Sequence, residues 1–129
     1  MGDQIMDLKG RIVTIRVLSD GGIEPQSEGQ GTLAGVPVNA LLTARADIEP
    51  DGAMHSQGNW IITGPTGERA TMRGLSVGMW EPDGSIRFRG SVVITSSTHR
   101  LSHLSGTVVV FEMDGDPDRH FTMKGWEWK

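Results

Sequence analysis

Apolar and polar residues alternate one for one through four stretches of the chain. Val38, Ala40, Leu42, Ala44, Ala46 and Ile48 form the first series, and Met54, Ser56, Gly58, Trp60 and Ile62 the second. Ala70, Met72, Gly74, Ser76, Gly78 and Trp80 follow, then Ile86, Phe88, Gly90, Val92 and Ile94. A period of two marks strands with one face buried and one in water. The intervening Arg45, Asp47, His55, Gln57, Asn59, Arg69, Arg73, Arg87 and Arg89 supply the solvated face. Further strands are predicted over residues 10–18, 29–33, 104–113 and 119–128, about eight in all. Residues 29–48 alternatively form one long bent strand.

An internal repeat sets the register. Glu49-Pro50-Asp51-Gly52 matches Glu81-Pro82-Asp83-Gly84, and more weakly Asp116-Pro117-Asp118-Arg119, each leading into a strand. Proline presets φ at the second turn position and glycine takes the left-handed conformation after it, which together make a tight hairpin loop. Gly64-Pro65-Thr66-Gly67 fits the same scheme. The flanking residues then pair, Ile48 with Met54, Ile62 with Ala70 and Trp80 with Ile86, so all four series fall on one face. With almost no helix signal, that face has only itself to pack against. The expected fold is all-β, an antiparallel up-and-down barrel of about eight strands in a single domain, 1–129.

Composition agrees with this picture and narrows the chemistry. Valine, isoleucine and threonine outnumber alanine and leucine by about two to one, and the 18 glycines suit strands and turns. The 36% hydrophobic content excludes disorder, and a net charge of −4 argues against a nucleic-acid surface. There is no cysteine, hence no disulfide framework and no thiolate site. Residues 1–11 carry neither a signal-peptide core nor a membrane span, so the expected location is the cytoplasm, with no membrane partner.

Candidate functional residues are few. Small residues alternate with Met54, Trp60, Met72, Trp80 and Phe88 on the inner face, which makes these five the candidate lining of a pocket for a hydrophobic or aromatic small molecule. The alternative is a lumen that the large side chains fill; an enclosed volume of about 300 Å³ or more separates the two. If the third repeat keeps the phase of the first two, Glu127 points inward. It is then either a desolvated acid or base, and the candidate catalytic residue, or a rim carboxylate paired with Arg16.

Other patterns carry less. His99 and His103 have a metal-ligand spacing without a third ligand, and a helical turn capped by Ser97, with Leu101 and Leu104 over one barrel mouth, accounts for them. Gly29-Gln30-Gly31-Thr32-Leu33-Ala34 meets the dinucleotide pattern, but Gly35-Val36-Pro37 follows where a helix is required. Asp114 to Asp118 begins like a calcium loop, yet Arg119 replaces its glycine and Gly125 its glutamate. No metal or cofactor is expected.

The strings Arg16-Val17-Leu18-Ser19, Gly35-Val36-Pro37-Val38, Gly67-Glu68-Arg69-Ala70, Thr95-Ser96-Ser97 and the closing Trp126-Glu127-Trp128-Lys129 resemble a family of small uncharacterised prokaryotic β-barrel proteins. The resemblance covers most of the chain from residue 11, implies a coherent natural domain and assigns no catalytic residue. In architecture the expected barrel is similar to lipocalin-like and allene-oxide-cyclase-like barrels, which bind hydrophobic molecules and in some cases isomerise or cyclise them. The expected function is therefore small-molecule binding in the lumen, with isomerase or cyclase activity left open. The alternative is a non-enzymatic interaction module with a filled core. Outward-facing Leu41, Ile61, Leu75, Val77, Met79, Val93, Trp126 and Trp128 point to a homo-oligomer, with a dimer favoured, in either case.

Overall fold

The computed structural model describes residues 2–129. Its strands are β1 (Gln4–Val17), β2 (Ile23–Leu33), β3 (Val36–Ile48), β4 (Ala53–Thr63), β5 (Arg69–Trp80), β6 (Ile86–Thr98), β7 (Val108–Gly115) and β8 (His120–Glu127). Each pairs antiparallel with its neighbour in sequence, and β8 returns to pair with β1, closing an eight-stranded up-and-down barrel. Closure gives every strand a partner on both sides.

The register follows the turn chemistry. Ile48 pairs with Met54, Ile62 with Ala70, and Trp80 with Ile86. In the β3–β4 and β5–β6 turns Gly52 and Gly84 have φ of 90° and 92°, and each donates its N–H to the carbonyl of Glu49 or Glu81 at 2.9 Å. Leu18 to Gly21 makes the same loop between β1 and β2, with Gly21 at φ 92°. The up-and-down path therefore gathers four such loops at one end, here the hairpin end. The chain termini, the Gly64–Gly67 turn and a short 3-10 helix over His99–Leu104 share the other.

The fourth loop at the hairpin end departs from the pattern. Arg119 occupies the position that glycine takes in the other three, at φ 70°, and donates its N–H to the Asp116 carbonyl at 3.1 Å. A side chain in the left-handed region costs about 1–2 kcal/mol, which the greater chain entropy of glycine partly offsets. Arg119→Gly is accordingly expected to raise stability by about 0.5–1 kcal/mol. Urea melts of the two proteins check this, and an unchanged or lower midpoint would show that the loop is unstrained.

Residues 29–48 are two strands, as the count of eight expects, and not the one long bent strand of the alternative: Ala34 (φ 49°) and Gly35 (φ 78°) form a two-residue turn between β2 and β3. That turn type prefers Asn-Gly, and Ala-Gly does not advertise it. Other boundaries differ from expectation. β1 begins at Gln4, well before residue 10, because Met6 and Leu8 already alternate inward with Asp7 and Lys9 outside. The helical turn after β6 exists and buries Leu101 and Leu104, but no side chain caps it; Ser97 Oγ instead donates to the Ser102 carbonyl at 3.3 Å. No helix of the described residues is long and apolar enough to cross a membrane.

Candidate functional site

The lumen has two unlike halves. Toward the termini, Met6, Leu8, Leu33, Ile62, Met72, Ile94, Leu101 and Met123 are at most 1% exposed and pack into one continuous core. Toward the hairpin end the inner face turns to small residues. Cross-strand neighbours there are Ala44, Gly58 and Gly74 in one row, and Ala46, Ser56, Ser76 and Gly90 in the next. Adjacent small residues cannot fill the space between the walls. A cavity of about 60 Å³ remains, floored by Trp60 and faced across the lumen by Ile12, Ser27, Phe111 and Met113.

Phe88 and Ile86 flank its mouth, both half-buried. The Phe88 ring lies over Gly78, where an added Cβ would sit 2.5 Å from Cδ1. This glycine is thus room for an aromatic ring. It shows the large-over-small filling that narrows the lumen well below the roughly 300 Å³ of an ordinary ligand pocket.

The five candidate lining residues separate. Trp60, Met72, Trp80 and Phe88 share the inner face by register, Trp60 pairing with Met72 and Trp80 with Ile86. Only Trp60 and Phe88 border the cavity. Met72 belongs to the packed half, and Met54 is buried without reaching the cavity. Trp80, the last residue of β5, is 40% exposed. The lining from β1, β2 and β7 lay beyond the reach of the turn register, because only the closed barrel brings those strands across the lumen.

Glu127 continues the inward phase of Phe121, Met123 and Gly125 and pairs with Val109, but it is the last residue of β8. Its carboxylate is 3.9 Å from the Lys129 ammonium and 30% exposed, at the end away from the cavity. The Arg16 pairing is corrected. Antiparallel closure sets Glu127 beside the first residues of the chain, while Arg16 lies near the other end of β1, 3.4 Å from Glu24.

The buried carboxylate of this barrel is a different one, Glu68, 2% exposed. It accepts hydrogen bonds from Arg100 Nη2 at 3.0 Å, from the Thr66 N–H at 3.1 Å and from the Thr66 hydroxyl. The Arg100 hydrogen bond, then that of the Thr66 hydroxyl, holds its pKa down to about 2. Glu68 shares the phase of Ala70 and Met72, so the inward alternation, carried two residues further back, points to it. It ties the β4–β5 turn to the 3-10 helix and does not line the cavity.

His99, next to Arg100, lies against Gly67 in the same cluster. Among the described residues no group of three histidine, aspartate or glutamate side chains is arranged to hold a metal ion.

The outer face carries a contiguous apolar patch. Val93 pairs with Val108 and Val110 with Trp126, while Leu75 and Trp128, 64% and 61% exposed, extend it to either side. In comparisons with known proteins, no family model matches this chain, and neither does any curated protein or solved structure. What stands is the architecture, a small all-β barrel of eight antiparallel strands.

Proposed function

We propose that this barrel binds a small hydrophobic molecule by one end, which enters the lumen at the hairpin end. The observation that carries the reading is the division of the lumen: one half packed to exclusion, the other walled by alanine, glycine and serine above the Trp60 ring. A cavity of about 60 Å³ is too small for a whole ligand, yet it is several times the roughly 10–15 Å³ that a single water molecule needs. It therefore takes the tip of a ligand, whose body rests between Phe88 and Ile86. The expected similarity to lipocalin-like and allene-oxide-cyclase-like barrels is an analogy of architecture, and the reading rests on the lumen itself. Glu127 lies outside the cavity, so the reading is of binding, with no acid assigned to a reaction.

A second reading has its own observation, the outward-facing apolar set of Leu75, Val93, Val108 and Trp128, which are exposed, with the half-buried Val110 and Trp126 among them. In a homodimer that face of β5–β8 would lie against its copy, since scattered surface hydrophobes need no partner but a contiguous set does. Native mass spectrometry of the protein purified from its own host reads both. Binding predicts an added small mass on the wild type that is lost from Ser76→Leu, which plugs the cavity. The dimer predicts twice the chain mass, lost from Leu75→Lys. An adduct that survives the plug, or a monomer at every concentration, would sink the corresponding reading.

A further inference from the structure

The cavity is lined by no charged side chain, yet its lining is not purely apolar. Trp60 is 4% exposed and Ser27 7%, and among the described residues no hydrogen bond joins the indole Nε1–H or the Ser27 hydroxyl to a protein group. Among the described residues no side-chain nitrogen or oxygen sealed off from open space lacks a partner. Both groups therefore open onto the space they line. The Trp60 nitrogen faces the small-residue wall, 3.6 Å from where a Cβ on Gly58 would lie. Ser56 and Ser76, paired across β4 and β5, add two hydroxyls to that wall.

A bound hydrocarbon would strip solvent from the indole N–H and leave it unpaired, the costliest condition for a buried donor. A carboxylate would meet donors but no cation, and burying an unpaired charge costs far more than a few hydrogen bonds return. Taking as given the proposal that the lumen binds, we infer that its ligand is uncharged and carries an acceptor oxygen, carbonyl or hydroxyl, on the end that enters. The Trp60 Nε1–H donates to that oxygen. The hydroxyls of Ser27, Ser56 and Ser76 complete its hydrogen bonding, and the apolar body remains at the mouth.

Three probes of matched shape test this: benzyl alcohol, toluene and benzoate, each titrated into the ¹⁵N-labelled full chain while the tryptophan indole N–H signals are followed. Benzyl alcohol is expected to move the Trp60 indole signal downfield and to bind about five- to tenfold tighter than toluene, the worth of one net hydrogen bond. Benzoate is expected to leave the signal in place. In Trp60→Phe the preference for the alcohol should fall toward one. The wild-type titration decides alone if that variant does not fold.

Toluene binding as well as benzyl alcohol, with the Trp60 signal still, would overturn the acceptor assignment while leaving lumenal binding intact. Benzoate binding like the alcohol would overturn the assignment of an uncharged ligand. If none of the three moves any signal from the cavity lining, the binding reading falls and takes this inference with it.

Discussion

Replacing Ile62 with alanine is expected to destabilise the protein by about 3–4 kcal/mol, whereas Phe88→Ala should cost only about 1–2 kcal/mol, although it removes the larger side chain. The order is the reverse of what side-chain size suggests. Ile62 is fully buried in the packed half, where neighbours on every side hold their positions and the lost methyl groups leave a hole. Phe88 already borders the cavity and the solvent at its mouth, so its removal widens an existing space and gives up a partial burial. Urea titration of both variants measures the two losses. Equal costs, or a larger cost at Phe88, would mean that the lumen is packed evenly and that the hairpin-end cavity does not persist in solution.

The second large effect concerns Glu68. Its carboxyl is held near pKa 2 in the folded protein against an ordinary value of 4.5, chiefly by Arg100 and then by Thr66. A depressed carboxyl pKa stabilises the fold above the unfolded value and loses that contribution as pH falls toward the folded one. Stability should therefore decline between about pH 4.5 and pH 2 through this group. Glu68→Gln should be less stable at neutral pH, and the two proteins should converge in acid. No other single acid is expected to produce so large a change, because the remaining carboxylates in ion pairs are all at least a quarter exposed and most are more than half exposed. Thermal melts from pH 2 to pH 7 distinguish the cases. Parallel curves for the two proteins would show that the Arg100–Glu68 contact carries no linkage to folding.

The cluster around Glu68 also explains how the barrel is stoppered at the end of the termini. The 3-10 helix inserts Leu101 and Leu104 into the core, and Arg100, on the same turn, anchors it to the β4–β5 loop through Glu68. A short helix has little stability of its own, since it forms few internal hydrogen bonds. Its position rests chiefly on two buried leucines and one charged pair, with the Ser97 hydrogen bond to the Ser102 carbonyl beside them. Acid, by protonating Glu68, is expected to loosen this end first, well away from the candidate binding mouth.

Much of the fold was legible because its information is local. Alternation assigns each residue of β3 to β6 to a face, and a turn such as Glu49-Pro50-Asp51-Gly52 permits one backbone path, which pairs Ile48 with Met54 and propagates along both strands. Where the local signal is weak, alternatives stay open. Ala34-Gly35 turns the chain with an alanine at φ 49° that nothing in its residue type announces, so residues 29–48 could be read as two strands or as one bent strand, and they are two. The inward phase beyond the clear repeats reached Glu127 without showing that β8 ends there.

What the chain by itself determined is which face each central residue takes, the register of the Pro-Gly hairpins, and the need for a sheet with one apolar face to close on itself. Tertiary structure alone decided the rest. The contact between Glu68 and Arg100 spans 32 residues. The pairing of β8 with β1 places Glu127 beside the first residues of the chain and far from Arg16. The division of the lumen arises because closure sets Ile12, Ser27, Phe111 and Met113 opposite a wall of small residues in one half, and large residues opposite large ones in the other. Alternation tells which way a side chain points, but not what stands across the barrel from it. That depends on strand tilt and stagger around the whole closed sheet, which no single hairpin encodes.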